Sequence, residues 1–295
     1  MRETGRIIKG IAGFYYVADP QGHVYECKAK GIFRKDAVKP LVGDAVEFAI
    51  VDEEGKKGNI EKVLPRKNAL LRPAVANVDQ ALVIFALKDP EPNFRLLDTF
   101  LARMVLTGIP GIICFNKTDL DADGRLALQV RSIYRGSGHE LVFTSTKERK
   151  GIAELEALLK GKCTTVAGPS GVGKSSLINL LQEDVQMETG CISEKTARGK
   201  HTTRHSELIA LGEDAFILDT PGFTSLSMDD YEKEDIAKGF AEIGRWENGC
   251  RFAGCSHIHE PDCIVKEKLA EGMISRQRYE SYVAMYEQCK EKRRY

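Results

Sequence analysis

Short runs of β-branched and aromatic residues dominate the first part of the chain. Residues 5–19 and 22–33 form two such runs with turn residues between them, and 41–65 continues the same rhythm. Strands of this length and spacing are typical of a small closed β-barrel. Residues 1–66 are therefore predicted to form an all-β, OB-like domain.

After Pro65 the pattern changes to continuous apolar runs that alternate with segments of helical periodicity. The run 79–87 is typical of a parallel strand buried on both faces, whereas 94–107 repeats its apolar residues at the spacing of one helix face. Further strands are predicted at 111–115, 140–144 and 163–167, and further helices at 126–134 and 152–159. This alternation predicts an α/β domain with a parallel sheet over residues 67–225.

A third pattern begins near residue 226. One helix is predicted over 229–243, a segment rich in cysteine and histidine follows, and 264–294 again has helical character with a basic end. Residues 226–295 are therefore predicted to form a small α-helical domain, which makes the chain a multi-domain protein.

Composition and charge narrow the class of protein only a little. Apolar residues make up 42% of the chain and charged residues 29%, as in ordinary globular proteins. The 43 basic and 43 acidic residues cancel, so net charge neither suggests nor excludes a nucleic-acid partner. No apolar run approaches the roughly 18 residues of a membrane span, and the N-terminus lacks an apolar export signal, which predicts a cytoplasmic protein with no membrane partner.

Residues 168–175 (GPSGVGKS) match the phosphate-binding loop motif. The loop lies between a predicted strand and a predicted helix, where backbone N–H groups and the positive helix end can surround phosphate oxygens. We expect Lys174 to contact the β- and γ-phosphates and to act in catalysis, and the Ser175 hydroxyl to bind Mg²⁺. The predicted nucleotide contacts of this loop are Gly168, Pro169, Ser170, Gly171, Val172, Gly173, Lys174, Ser175 and Ser176.

Two downstream segments complete the predicted phosphate and Mg²⁺ site. Asp219 ends an apolar strand and begins D-T-P-G, so its carboxylate is placed to bind Mg²⁺ through water, while Gly222 supplies an amide near the γ-phosphate. Between the two motifs, the polar stretch 198–204 carries a hydroxyl, Thr203 or alternatively Thr202, that can complete the Mg²⁺ shell. The other interpretation of that stretch is an ordinary surface loop.

The motif N-K-T-D at 116–119 predicts a guanine pocket. One carboxylate, that of Asp119, can accept hydrogen bonds from both N1–H and the exocyclic amine of guanine, whereas adenine offers no matching pair. Asn116 is expected to brace the loops and Lys117 to cover the base. The loop 144–146 (TST), which includes Ser145, is expected to supply an N–H to the base oxygen. An ATPase or a kinase is the alternative, which Asp119 disfavours.

The order of these motifs is unusual, because the base motifs precede the phosphate loop along the chain. Ordinary GTPases have the reverse order. A circular permutation retains the same sheet, provided that the original termini lie close together and the new ones fall in loops. We therefore predict a circularly permuted GTPase domain that binds GTP and GDP.

Three cysteines and two histidines crowd into fourteen residues, at Cys250, Cys255, His257, His259 and Cys263. Three thiolates and one imidazole favour a tetrahedral Zn²⁺ site, and four protein ligands leave no position for a catalytic water. The predicted zinc ion is therefore structural, one per chain, with either histidine as its fourth ligand. Unrelated core cysteines are the alternative interpretation.

These motifs together resemble those of the circularly permuted GTPases that depend on the small ribosomal subunit, the RsgA/YjeQ family. The resemblance rests on 116–119, 168–175, 192–203, 219–223 and the cysteine–histidine segment. It implies an N-terminal OB-fold, a permuted GTPase domain and a C-terminal zinc-binding helical domain. It also implies GTP hydrolysis in late maturation of the 30S subunit, stimulated by that subunit, and it assigns His257 to the zinc ion in preference to His259.

The resemblance bears on catalysis and on partners as well. Phe223 occupies the position where Ras-type enzymes carry the glutamine that orients water. The family implies that the switch-loop histidine, here His201, takes this role, although a structural or RNA-contacting role is the alternative. The expected partners are the 30S subunit and its 16S rRNA, bound by a monomer. An RNA-binding switch with negligible GTP turnover is the alternative function.

Overall fold

The structure is a computed structural model that describes residues 2–29, 39–71, 74–189, 207–211, 215–219, 228 and 231–292. Contacts divide the chain into two compact units. The first contains Met1–Asp79, Leu159–Val166 and Ile178–Phe223, and the second contains Gln80–Leu158, Ala167–Leu177 and Thr224–Tyr295. In the described part of the chain, no helix is both long enough and apolar enough to span a membrane.

Five strands of the first unit close into a barrel. They are β1 (Arg2–Ile11), β2 (Phe14–Ala18), β3 (Val24–Ala29), β4 (Ala45–Asp52) and β5 (Lys57–Val63). β1 pairs antiparallel with both β2 and β4, β3 pairs with β2 and β5, and the pairing of β4 with β5 completes the ring. This order confirms the predicted OB-like barrel.

The barrel has a filled interior and a buried ion pair where the chain leaves it. The interior residues without exposed surface are Ile7, Val17, Cys27, Val46, Phe48 and Ile60. Asp44 is fully buried, and Arg66 donates to it through Nε at 2.7 Å and through a terminal nitrogen at 2.8 Å. The bidentate pair ties the segment after β5 back to the barrel.

As far as the chain is described, the first unit contains five further strands outside the barrel. β6 (Ala69–Leu71) and β7 (Ala74–Ala76) form a small antiparallel pair, and the others are β11 (Cys163–Ala167), β12 (Glu207–Ala210) and β13 (Phe216–Asp219). β13 lies parallel to β11 and antiparallel to β12. β12 meets β1 at the pair Lys9–Glu207, where Nζ and the carboxylate are 3.2 Å apart.

Three parallel strands form the sheet of the second unit. They are β8 (Gln80–Ala86), β9 (Gly111–Asn116) and β10 (Glu140–Phe143), with β9 between the other two. Every residue of β8 and β9 is buried, which explains why their sequences are continuous apolar runs. Parallel strands end at the same edge of a sheet, so the segments after β9 and β10 meet there.

The helices follow the strands in the predicted alternation. They are α1 (Phe94–Leu106), α2 (Arg125–Tyr134), α3 (Ile152–Leu159) and α4 (Lys174–Thr189), after β8, β9, β10 and β11 respectively. α1 begins where the Asn93 side chain accepts the Leu96 N–H at 3.0 Å, and it buries Leu97, Phe100 and Leu101. The α/β pattern read from the sequence is thus confirmed.

The C-terminal segment is helical, but the single helix predicted over 229–243 is wrong. The helices here are α5 (Ala241–Gly244), α6 (Ile264–Ala270) and α7 (Arg276–Lys292), and Lys233–Gly239 is a 3₁₀ run. The backbone turns to extended geometry at Phe240, and a Cβ at Gly239 would lie only 2.9 Å from that of Ala102 in α1. Close packing against α1 therefore replaces the regular helix that local periodicity favours.

A buried charge cluster joins α7 to α1, α2 and α5. The Arg278 side chain has no exposed surface, and it lies 2.6 Å from Asp98 of α1 and 2.6 Å from Glu242 of α5. The Tyr134 hydroxyl of α2 donates to the same Asp98 carboxylate at 2.9 Å. Because an unpaired buried charge is very costly, this cluster fixes the four helices together.

Candidate functional site

The phosphate loop runs from the buried strand β11 to α4, and two of its glycines are required by close packing. Gly168 has φ 139° and Gly173 has φ 92°. A Cβ on Gly168 would clash with the carbonyl oxygen of Ile84, and a Cβ on Gly173 would clash with the Asn116 side chain. The loop is therefore held directly against β8 and the base motif.

Lys174, the first residue of α4, directs its ammonium group back over this loop. Nζ donates to the carbonyl oxygens of Gly168 at 2.8 Å and Pro169 at 2.5 Å. The N–H groups of the first helical turn have no carbonyl partner within the helix, and Ser175 and Ser176 on this turn are exposed. A cation beside open amides is an arrangement that binds phosphate oxygens.

Asn116 joins three loops through one side chain. It ends β9 and is fully buried. Its amide nitrogen donates to the carbonyl oxygen of Val172 in the phosphate loop at 3.0 Å. Its amide oxygen accepts hydrogen bonds from the Thr144 hydroxyl at 3.1 Å and the Thr146 N–H at 3.3 Å. The base motif, the phosphate loop and the loop after β10 are thus fixed relative to one another.

Asp119 lies in the 3₁₀ turn Thr118–Leu120, and its carboxylate is held by the loop after β10. The Ser145 hydroxyl donates to Oδ1 at 2.6 Å, Lys147 Nζ lies 4.0 Å from Oδ2, and only 10% of the side chain is exposed. The Ser145 N–H donates to the carbonyl oxygen of Lys150 at 3.0 Å. Ser145 therefore contacts Asp119 through its hydroxyl, while its own N–H, a candidate donor to the base oxygen, is bonded within the loop.

Lys117 adopts a left-handed conformation, with φ 65°, and its ammonium group donates to the carbonyl oxygen of Asp89 between β8 and α1. This contact extends the lysine stem along the site. Sequence reasoning did not single out Asp89, and it placed Thr144 in the base loop without the hydrogen bond from its hydroxyl to Asn116. The only signal for Asp89 is that it closely follows the carboxyl end of a predicted parallel strand, which is where ligand-binding residues of such sheets lie.

The remaining phosphate-side predictions are not described by the structure. His201, Thr203 and Gly222 lie outside the described residues. Asp219 ends β13, at the strand end where the sequence predicts it, but only its backbone is described. The Mg²⁺ contacts and the water-orienting residue therefore stay predictions.

The cysteine–histidine segment brings four ligand atoms to one point. These atoms belong to Cys250, Cys255, His257 and Cys263 and lie within 4.8 Å of one another. Cys250 Sγ is 3.4 Å from His257 Nδ1 and 3.8 Å from Cys263 Sγ, and Cys263 Sγ is 3.5 Å from His257 Nδ1. Four soft or borderline donors converging in this way can hold a metal ion.

Neighbouring side chains support this cluster without entering it. The Tyr279 hydroxyl donates to the carbonyl oxygen of His257 at 2.6 Å, and the Tyr282 hydroxyl donates to that of Ser256 at 2.7 Å. His259, the other histidine of the segment, is 77% exposed and lies 3.9 Å from Glu287. Burial raises the pKa of the Cys255 thiol to about 12, so binding a metal ion there would displace a proton.

Two protein-family models match the chain. The first, described as the RsgA N-terminal domain, matches residues 4–60, and the second, described as RsgA GTPase, matches residues 63–229. A protein from Agathobacter rectalis named small ribosomal subunit biogenesis GTPase RsgA is 55% identical over 99% of this chain and 100% of its own length. A protein of the same name from Caldanaerobacter subterraneus is 47% identical over 100% of this chain and 99% of its own.

Two solved structures are similar over nearly the whole length. YjeQ from Thermotoga maritima has a TM-score of 0.84 and 37% identity, and the match covers 98% of this chain and 99% of that one. YloQ, described as a circularly permuted GTPase, has a TM-score of 0.80 and 34% identity, covering 99% of this chain and 96% of that one. At these identities the likeness includes sequence as well as fold.

Proposed function

Since the chain belongs to the RsgA GTPase family, we propose that it binds GTP and hydrolyses it to GDP and phosphate during late maturation of the 30S ribosomal subunit. The family shows that the chain is a GTP hydrolase. The observation that carries the site assignment is the bonding of Asn116. Its side chain connects the guanine motif to the phosphate loop, so base and phosphates of one nucleotide can be bound together.

Asp119 provides the preference for guanine. Its carboxylate is already oriented by Ser145 and can accept the two adjacent donors of the base edge. Adenine would leave this nearly buried carboxylate without donors, which is costly. Lys117, extended along the site by its bond to Asp89, is placed to cover the base. These contacts select GTP over ATP.

The phosphate loop and Lys174 stabilise the charge that develops on the phosphates. The ammonium group, now bonded to two loop carbonyl oxygens, can turn to the β- and γ-phosphates when they are present. Ser175, Thr203 and Asp219 would hold Mg²⁺, which offsets phosphate charge when it is bound. His201 would orient the attacking water, because Phe223 cannot.

The cysteine–histidine cluster is proposed to hold one structural Zn²⁺. A tetrahedral zinc ion with thiolate ligands at about 2.3 Å and an imidazole at about 2.0 Å places its ligand atoms about 3.5–3.8 Å apart. The observed separations of 3.4, 3.5 and 3.8 Å fit these edges. All four positions are protein atoms, so the ion would stabilise the segment and take no part in hydrolysis.

The partner is proposed to be the 30S subunit with its 16S rRNA. The chain is proposed to bind it as a monomer in the cytoplasm. In this proposal residues 1–66 form the RNA-binding barrel, 67–225 the GTPase domain and 226–295 the zinc-binding domain. The names of the relatives support the assignment to small-subunit biogenesis. The lack of a glutamine after Gly222 supports slow hydrolysis by the protein alone.

Single-turnover GTP hydrolysis tests the proposal. The full chain is assayed alone, with 30S subunits and with 50S subunits as the control. We expect slow hydrolysis alone and faster hydrolysis with 30S only, which His201→Ala should abolish while GTP binding remains. Tight GTP binding without any stimulation by 30S would refute the proposed activity and support a binding-only switch. Equal binding of ATP would refute the base assignment.

A further inference from the structure

A cavity of about 450 Å³ opens at the end of α2 that lies away from the base motif. Its lining residues are Arg131, Ser132, Tyr134, Arg135, His139 and Leu141. α2 begins at Arg125, shortly after the guanine motif, and spans ten residues, which is about 15 Å of helix. The cavity is therefore separate from the nucleotide site, although both belong to the same compact unit.

Two arginines give this cavity its charge. Arg131 and Arg135 are four residues apart and so share one face of the helix, and both are exposed. Neither has a carboxylate partner among the described residues, whereas Arg125 at the start of the same helix pairs with Asp123 at 3.1 Å. Like charges one turn apart destabilise a helix slightly, so Arg131 and Arg135 do not stabilise α2 as a pair.

The walls of the cavity hold this charge in place. The Arg131 guanidinium lies 4.4 Å from the ring centroid of Phe143, and this cation–π contact holds its charge beside the cavity. Tyr134 is buried, and its hydroxyl is bonded to Asp98. The back of the cavity is thereby built on the buried cluster of Arg278 and its partners.

The other titratable groups nearby do not neutralise the two arginines. Asp98 and Glu242 are both bonded to Arg278, each at 2.6 Å. His139 has its Nδ1 3.2 Å from the carbonyl oxygen of Gly111, and burial together with the charge of Arg278 lowers its pKa to about 4. The imidazole is therefore neutral at physiological pH. Glu140 is exposed, but it is not among the lining residues.

We propose that this cavity binds the phosphodiester backbone of RNA, with Arg131 and Arg135 on phosphate oxygens. The inference rests on the proposed function, which makes an RNA-rich ribosomal subunit the partner. Two unpaired guanidinium groups match phosphate oxygens, and the volume exceeds that of a single oxyanion and suits a nucleotide unit. The exposure of both arginines and of Ser132 leaves the cavity open to a continuous strand, as a polymer requires.

The test compares one double variant with one matched control. Arg131→Gln/Arg135→Gln removes both charges and keeps a polar, unbranched side chain at each position. Arg125→Gln removes an exposed, paired arginine from the same helix. Binding to 30S subunits is measured over a range of salt concentrations, with GTP affinity and melting temperature measured alongside. We expect the double variant to bind 30S about five- to tenfold more weakly and to flatten the slope of log K against log salt by about 1.5 to 2 units, since two phosphate contacts are lost. GTP affinity and basal hydrolysis should not change.

Several outcomes separate failure of this inference from failure of the proposed function. If the unmodified chain binds 30S and the double variant binds with the same affinity and salt slope, the cavity assignment is wrong. If the unmodified chain does not bind 30S, the proposed function fails, and a single-stranded RNA oligonucleotide then tests the cavity directly. Loss of oligonucleotide binding in the double variant supports the inference, and equal binding overturns it.

Two further measurements distinguish an RNA strand from another anionic partner. Polyglutamate should compete poorly with RNA; if it competes and RNA does not bind, the cavity receives an acidic protein segment and the inference is overturned. Arg131→Lys/Arg135→Lys keeps the charge but loses the planar donors. It should retain the salt slope of the unmodified chain with intermediate affinity. Full affinity in the lysine variant would overturn the claim that guanidinium groups bind the phosphates.

Discussion

The guanine motif and the cysteine–histidine cluster are both short motifs, but different forces hold their side chains. In the guanine motif, Asn116 and Asp119 are hydrogen-bonded by other protein groups, so the chain itself sets the orientation of their side chains. In the cluster, three sulfur atoms and an imidazole face one another. Thiols packed at these distances give little attraction, so the proposed metal ion would supply the stabilisation. A protein can thus preorganise a site with its own chain, or leave its assembly to a metal.

Of the changes considered, removal of the metal should have the largest effect, and it should act on the cluster and not on the guanine motif. Structural zinc sites contribute on the order of 10 kcal/mol to the folding of small segments. We expect Cys263→Ser to lose the metal and to expose residues 250–263 to hydrogen exchange, while guanine binding in the folded fraction persists. Metal analysis and exchange mass spectrometry measure this. Cys289→Ala, a buried cysteine on α7 outside the cluster, should keep one metal ion per chain. A well-folded preparation without metal would contradict the assignment.

Asp119→Asn should break the preorganised site without disturbing the cluster. The amide cannot accept both guanine donors, and mismatched buried polar groups cost about 10⁴-fold in discrimination. GTP affinity should fall by roughly this factor, and xanthosine triphosphate should bind better, because its carbonyl matches the new amide donor. Calorimetry with both nucleotides measures the change. Asp123→Asn, an exposed neighbour, should behave like the unmodified chain. Unchanged GTP affinity in Asp119→Asn would refute the pocket.

Lys174→Ala should lower GTP affinity by a smaller factor, because it removes only contacts to the phosphates. A charge-assisted hydrogen bond contributes about 1.5–3 kcal/mol, so GTP affinity should fall about 10- to 150-fold and hydrolysis with it. Guanosine, which has no phosphates, should bind equally to both proteins. Lys160→Ala, at an exposed position after α3, is the matched control. Equal loss of guanosine binding would mean that the loop had collapsed and that the lysine has no specific phosphate role.

Ser145→Ala sharpens the comparison by removing one bond of the preorganised pocket. The hydroxyl orients Asp119 at 2.6 Å, and such a bond contributes about 1 kcal/mol, or about fivefold in GTP affinity. The preference for GTP over ATP should remain, because Asp119 is still present. A loss as large as that of Asp119→Asn would show that Ser145 contacts the base itself.

The local sequence predicted those strands and helices whose formation depends mainly on the residues of one segment. The alternation of apolar runs and helical periodicity predicted the strands and helices of the α/β region, and the run 79–87 predicted a fully buried strand. The prediction of one helix over 229–243 was wrong. The chain at Gly239 and Phe240 leaves helical geometry where it packs against Ala102, and the periodicity of the local sequence carries no information about that contact. Competing tertiary contacts decide such cases.

In the candidate site, too, the local sequence predicted some residues and not others. The candidate residues of the phosphate loop, the guanine motif and the cluster stand in short motifs, so their types and spacing were enough to predict them. The carbonyl oxygen of Asp89 contributes through its main-chain position, which no motif encodes. Thr144 stands in the predicted base loop, but only the structure shows that its hydroxyl donates to Asn116. Arg278 and Asp98 are 180 residues apart, and only the folded chain shows that they are partners.

The buried Arg278 pair has a consequence for the modularity of the chain. The sequence suggests a C-terminal module that could be deleted, but a chain ending before residue 276 would leave the Asp98 carboxylate inside the protein without its counterion. Breaking such a pair costs about 3–5 kcal/mol, a large fraction of the stability of an ordinary domain. The last helix is therefore an internal part of the nucleotide-binding body. Gene fusions and deletions that preserve the GTPase must carry it along.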